Sequence, residues 1–192
     1  MHDIEPLKPS NTGWLIADVV QDTYAFGWAR TEVDPALLAL LADPQWQPIV
    51  VFPGEFVDAA RVVHAVPKVD ADVDTDGLAQ PKRPLFILLD GTWPEASKMF
   101  RKSPYLANLP VLSLEPDQMS RYKLRRSTRD DHFCTAEVAA LCLALAGEAR
   151  VAQTLEAYLD VFTHHYLQAK HQLPYEAEHE ASQRLALLIS NT

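Results

Sequence analysis

Pro84-Leu85-Phe86-Ile87-Leu88-Leu89-Asp90-Gly91-Thr92-Trp93-Pro94 is the stretch that decides the fold. An apolar run from Pro84 to Leu89 ends abruptly in turn chemistry, and Pro94 stands where a helix can begin. A run this short, and apolar on both faces, reads as a strand inside a parallel sheet rather than as a helix. Two other places repeat the pattern: Pro48 to Phe52 (PIVVF), followed by Pro53-Gly54-Glu55, and Pro110 to Leu114 (PVLSL). Helix-like stretches from Glu55 to His64 and from Pro94 to Lys102 follow the first two runs. Strands alternating with helices predict an α/β domain built on a parallel sheet.

Working outward, Trp14 to Val20 reads as a first strand, and Asp34-Pro35 opens a short helix with Asp as N-cap and Pro at the first helical position. Pro67 to Arg83 carries Asp70, Asp72, Asp74 and Asp76 among few bulky apolar residues, and predicts a solvated loop over the strand ends. From Thr135 the chain turns helical: Thr135 to Ala146, then Val151 to His171 with Leu155, Leu159, Phe162 and Tyr166 on one face, then Glu176 to Ile189. No internal repeat interrupts this order.

A length of 192 residues with 48% apolar content suits one compact domain. A net charge of −9, from 17 basic and 26 acidic residues, argues against a protein that coats nucleic acid indiscriminately. Cys134 and Cys142 are spaced for neither a zinc knuckle nor a disulfide framework, and are expected to be reduced and packed. His164 and His165 are adjacent and the other histidines scattered, so no metal is expected. The first residues lack a basic start with an apolar run, and no stretch of about 18 apolar residues occurs, so the expected location is the cytoplasm.

Three segments carry chemistry. Ligands of open parallel sheets bind beyond the carboxyl ends of the strands. Asp90 leaves such an end beside Gly91, Thr92 and Trp93; the alternative is that Asp90 or Thr92 only caps the next helix while Trp93 staples it to the core. Phe52-Pro53-Gly54-Glu55 repeats the strand-turn-helix geometry on a neighbouring strand. Arg121, Lys123, Arg125, Arg126 and Arg129 place five cations in nine residues around Tyr122. Arginines there suit phosphate and tyrosine suits stacking on a base, which predicts an RNA-facing rim; the alternative is a loop paired with the protein's own acidic surface. Thr135 is expected to cap its helix with Glu137 in the first turn, and that helix end is also a possible anion site.

Together these segments resemble the DTW-domain family, related to the ribosome-biogenesis aminocarboxypropyltransferases. Asp90, Thr92, Trp93 and Ala96 match its Asp-x-Thr-Trp-x-x-Ala hallmark. His2, Glu5, Lys8, Pro9, Asn11, Thr12 and Gly13 look like its early block, Phe52-Pro53 like its second loop, and Arg125 with Thr135-Ala136-Glu137 like its last. The resemblance spans roughly residues 2 to 165, leaving 172–192 as a helical extension of a single domain over 1–192. The departures are a missing cysteine-rich segment ahead of the early block, Cys134 where serine is common, and Trp14 where a basic residue is frequent.

The resemblance implies a SPOUT-like α/β fold, its parallel sheet flanked by helices and closed by a C-terminal trefoil knot. It implies S-adenosylmethionine as co-substrate and transfer of its 3-amino-3-carboxypropyl group to N3 of a uridine in tRNA, with 5′-methylthioadenosine released. Thr12, Phe52, Pro53, Leu89, Asp90, Thr92, Trp93, Leu114, Thr135 and Glu137 are then expected around the cofactor. Thr92 or the Thr135 helix end would take the amino-acid carboxylate, and Asp90 would act as base or hold the ammonium. Lys8, Arg121, Tyr122, Lys123, Arg125, Arg126 and Arg129 are expected on RNA. The rivals are a SPOUT-type methyltransferase and a non-catalytic RNA-binding factor.

Overall fold

A computed structural model describes residues 1–2, 5–67, 82–114, 134–174 and 179–190. The acidic loop at 68–81 and the basic run at 121–129 lie outside the described residues. Within the span read as one domain, the chain gathers into two compact units. One comprises Met1–Glu5 and Ala25–Ser127, the other Pro6–Tyr24 and Thr128–Thr192.

The first unit holds a four-stranded sheet. Its strands are β1 (Trp46–Val51), β2 (Val62–Val63), β3 (Arg83–Ile87) and β4 (Val111–Leu112), in the order β2-β4-β1-β3. Every neighbouring pair is parallel: Trp46 to Val50 face Arg83 to Ile87, while Val50 and Val51 face Val111 and Leu112. The parallel α/β expectation is met, for the predicted physical reason. Ile49, Val50, Val111 and Leu112 are fully buried, so these strands need apolar side chains on both faces. Helix α2 (Pro35–Ala42) begins as expected, with Asp34 Oδ1 accepting the Ala36 N–H at 2.9 Å. Helix α3 (Trp93–Lys102) follows β3, and its Ala96 joins Val50, Phe52, Leu106 and Val111 in the core.

One expectation in this region is corrected. Glu55 to His64 is not a helix but two 3-10 turns, Gly54–Phe56 and Ala59–Arg61, followed by β2. The reason is non-local. Arg61 donates to the Leu109 and Leu106 carbonyls at 3.0 and 2.8 Å, and β-branched Val62 and Val63 pair with β4 instead of closing a helical turn.

The second unit is helical among its described residues. It contains α1 (Gly13–Val19), α4 (Thr135–Leu145), α5 (Ala149–Lys170) and α6 (Glu180–Ser190). Here lies the second correction: Trp14 to Val20 is helix α1, not a strand. Its apolar residues Leu15, Ile16 and Val19 suit a helical stripe as well as a strand, and Asn11 Oδ1 accepts the Gly13 N–H at 2.8 Å where the helix starts. The long helix α5 packs against α1, α4 and α6, with Leu155 and Ala157 fully buried. Tyr158 donates to Asp18 Oδ2 of α1 at 2.9 Å, and Arg184 of α6 pairs with Asp160 and Glu156 of α5 at 3.2 and 3.5 Å. Among the described residues, no helix is long and apolar enough to cross a membrane.

Candidate active site at the strand ends

Because β1 to β4 all run the same way, Phe52, His64, Leu88 and Ser113 leave the sheet from one edge. The loops there are tied together. The Gly54 N–H donates to Ser113 Oγ, and the Ser113 N–H to the Val63 carbonyl, both at 3.0 Å. A Cβ on Gly54 would sit 3.0 Å from Ser113 Oγ and from Val62 Cγ1, so a larger residue here would crowd both side chains.

The loop after β3 is held from three sides. The His2 N–H donates to the Asp90 carbonyl at 3.0 Å. Glu95 Oε2 accepts both the Thr92 N–H at 2.7 Å and the Thr92 hydroxyl at 2.6 Å. Glu95 Oε1 lies 3.2 Å from His2 Nδ1. The His2 ring stacks on Trp28 with centroids 5.9 Å apart, and Trp28 Nε1 donates to the buried Ser103 hydroxyl at 3.0 Å. A Cβ on Gly91 would meet Glu95 Cβ at 3.1 Å, so this glycine makes room for the glutamate; its φ is not in the left-handed region. Asp90 itself is only 7% exposed, at the mouth of a strand.

Thr92 does occupy the N-cap position, as the structural alternative holds. Trp93 stacks on the core residue Phe52, as the stapling alternative holds, yet stays 41% exposed at the end of a ladder of near-parallel aromatic rings. Phe100 and Phe52 stack at 4.3 Å and 5°, then Phe52 and Trp93 at 5.4 Å and 8°. Phe52 is 6% exposed and sandwiched, so it supports Trp93 and is not itself an open ligand surface. Leu89 likewise packs its side chain against the core, while Pro53 is exposed and Leu114 half-buried beyond β4.

Thr12, Thr135 and Glu137 fall in the second unit. Thr135 is not the N-cap of α4; Cys134 is, and its N–H donates to Glu137 Oε2 at 2.8 Å. The Ala136 N–H points to Thr12 Oγ1 at 3.4 Å. These amides are thus engaged within the chain, which weakens the expectation that this helix end holds a ligand carboxylate. The Thr92 hydroxyl likewise donates to Glu95 Oε2. Burial, with the Glu137 carboxylate beside it, pushes the Cys134 thiol up to about 11; burial pushes Cys142 up to about 12. Both cysteines are free, as the spacing predicts. Lys8 is half-buried, its carbonyl accepting the Asn11 N–H at 2.9 Å. Arg121, Tyr122, Lys123, Arg125, Arg126 and Arg129 lie outside the described residues. Among the described residues, no group of three His, Cys, Asp or Glu side chains is placed to hold a metal.

Sequence reasoning missed Glu95, Phe56 and Phe100 as parts of this site. The Thr92-x-x-Glu95 spacing is a capping-box signature that points to the first. Trp93 and Phe100, seven apart, share one face of α3, which points to the last. Phe56 had no signal, because its segment reads locally as helix.

Comparison with known proteins agrees with the motif order. Residues 1–167 match the DTW domain. The chain is also similar to tRNA-uridine aminocarboxypropyltransferase 2 of Drosophila melanogaster, 37% identical over 70 residues, which is 36% of this chain and 28% of the fly protein's length. No solved structure matches the chain. With the hallmark residues at a strand end and a match over most of its length, this chain belongs to the DTW-domain family.

Proposed function

We propose that this protein is a tRNA-modifying transferase that moves the 3-amino-3-carboxypropyl group of S-adenosylmethionine to N3 of a uridine. One observation carries the reading: a buried Asp90 and an exposed Trp93 share a braced strand-end loop in a chain of this family. The fly relative's name, tRNA-uridine aminocarboxypropyltransferase 2, supports the reaction class.

The loop's chemistry fits such a donor. It carries a buried carboxylate, Asp90, beside the exposed Trp93, a set suited to a cationic sulfonium compound bearing a flat ring. When bound, S-adenosylmethionine supplies an electrophilic γ-carbon and leaves as 5′-methylthioadenosine once that carbon–sulfur bond breaks. Asp90 takes the uracil N3 proton, directly or through a water. His2 and Glu95 hold the loop backbone, so the Asp90 side chain starts from a fixed origin. Trp93, exposed on the same loop, would cover the donor and keep water from the reacting carbon.

The basic run from Arg121 to Arg129, with Tyr122 and Lys8, holds the tRNA, in a SPOUT-like knotted fold and a cytoplasmic setting. Neutralising Arg125 and Arg126 should weaken tRNA binding and flatten its salt dependence. The test of the reaction is mass spectrometry of nucleosides from tRNA incubated with protein and S-adenosylmethionine. A uridine carrying an aminocarboxypropyl group is expected; a methylated nucleoside favours the SPOUT-type methyltransferase, and unmodified tRNA the non-catalytic factor.

A further inference from the structure

Helix α3 leaves the Asp90 loop with one face in the core and the other in water. Ala96, Met99 and the cap residue Ser103, spaced three and four apart, are buried and mark the inner face. Lys98, Arg101 and Lys102 fall on the opposite face, and all three are exposed. The one acidic residue of α3, Glu95, is engaged with Thr92 and His2. Among the described residues, no carboxylate lies in ion-pair range of Lys98, Arg101 or Lys102. Arg101 Nε donates to the Ser97 carbonyl at 3.2 Å, which ties the guanidinium to the helix and leaves its terminal N–H groups for a ligand. The Lys98 ammonium lies 5.5 Å from the centre of the Trp28 ring, so this side chain is held as well.

Compensation of the helix dipole accounts for Arg101 and Lys102 in the last turn, but not for Lys98 in the middle of the helix. A face of three cations stands out in a chain of net charge −9, and it concentrates positive potential next to the strand-end loop. Arg101 is eight residues beyond Trp93, about 12 Å along the helix axis. A partner that fits cations spaced along a helix is an anion with repeated charges, and the arginine fork suits a phosphate. We propose that Lys98, Arg101 and Lys102 form a face that contacts phosphates of the tRNA substrate next to the strand-end site. The inference rests on the tRNA-modifying reading given above and uses residues separate from the run at 121–129.

The experiment measures binding of tRNA to the full chain by fluorescence anisotropy over a salt series, with circular dichroism confirming each fold. One variant combines Lys98→Gln, Arg101→Gln and Lys102→Gln; a second keeps the charges, with Lys98→Arg, Arg101→Lys and Lys102→Arg. Lys98→Gln alone, clear of the helix end, is compared with Lys170→Gln, which removes an exposed charge from α5. The neutral triple should bind roughly tenfold or more weakly at low salt, and its plot of log affinity against log salt should be shallower by about two. Lys98→Gln should flatten the plot by about 0.7, while the charge-keeping triple and Lys170→Gln should match wild type. Wild-type affinity and slope in the neutral triple, or equal flattening by Lys98→Gln and Lys170→Gln, overturns the phosphate face and leaves the proposed reaction standing. A wild-type protein that neither binds nor modifies tRNA overturns both.

Discussion

The helix starts of α3 and α4 use the same device in different surroundings. At each, a glutamate three residues on accepts the N-cap N–H, Glu95 from Thr92 at 2.7 Å and Glu137 from Cys134 at 2.8 Å. At α4 the first turn is closed: Ala136 is fully buried, its N–H points to Thr12, and the Cys134 thiol is packed. At α3 the glutamate also holds the Thr92 hydroxyl and approaches His2, while Trp93 stays open to solvent. A capping glutamate is therefore no mark of a site by itself. What distinguishes α3 is that the same brace holds a loop whose Asp90 and Trp93 are not needed to close the helix.

The sharpest way to break this comparison is at Asp90. Asp90→Asn, with circular dichroism unchanged, should lower the transfer rate by about 10²–10⁴-fold; near-normal turnover removes Asp90 from the mechanism. Next comes the aromatic ladder, where burial sets the cost. Phe52→Ala should lose about 3–5 kcal/mol by denaturant titration, whereas exposed Trp93→Ala should lose under about 1 kcal/mol. Equal losses would make Trp93 a core residue after all.

The two caps themselves come third. Glu95→Ala and Glu137→Ala should each cost about 1 kcal/mol of stability, and Glu95→Ala should also slow transfer because it loosens the Asp90 loop. A Glu95→Ala protein with normal transfer would reduce α3 to an ordinary helix start.

The smallest effect concerns Cys134. Its thiol, pushed up to about 11, stays protonated at pH 8, so iodoacetamide should label it roughly a hundredfold more slowly than an exposed thiol. A folded value above the ordinary thiol range favours the fold below that range, and this contribution is lost as pH rises towards 11. Melting temperatures of wild type should thus fall more steeply above pH 9 than those of Cys134→Ala, checked by thermal scans.

Strands β1 and β3 were legible in the sequence because burial on both faces leaves a continuous apolar run bounded by turn residues. The Asp34-Pro35 helix start was legible because its cap is local. Trp14 to Val20 was not, since seven residues with a few apolar positions fit either period. Neither was 55–64, where Arg61 finds carbonyls some 45 residues away and Val62-Val63 finds β4. At the site, Asp90, Thr92 and Trp93 stood out as a motif, but the brace from His2 and the ring contact from Phe56 arise from tertiary contacts that no local pattern encodes.

The proposed reaction delivers the γ-carbon of the donor, not its methyl group, to tRNA. It is tested most directly with S-adenosylmethionine labelled in the carboxyl carbon in one reaction and in the methyl carbon in another. The account predicts label in tRNA from the carboxyl-labelled donor alone, with methyl label recovered in 5′-methylthioadenosine. Methyl label in tRNA, with carboxyl label left in solution, would contradict it.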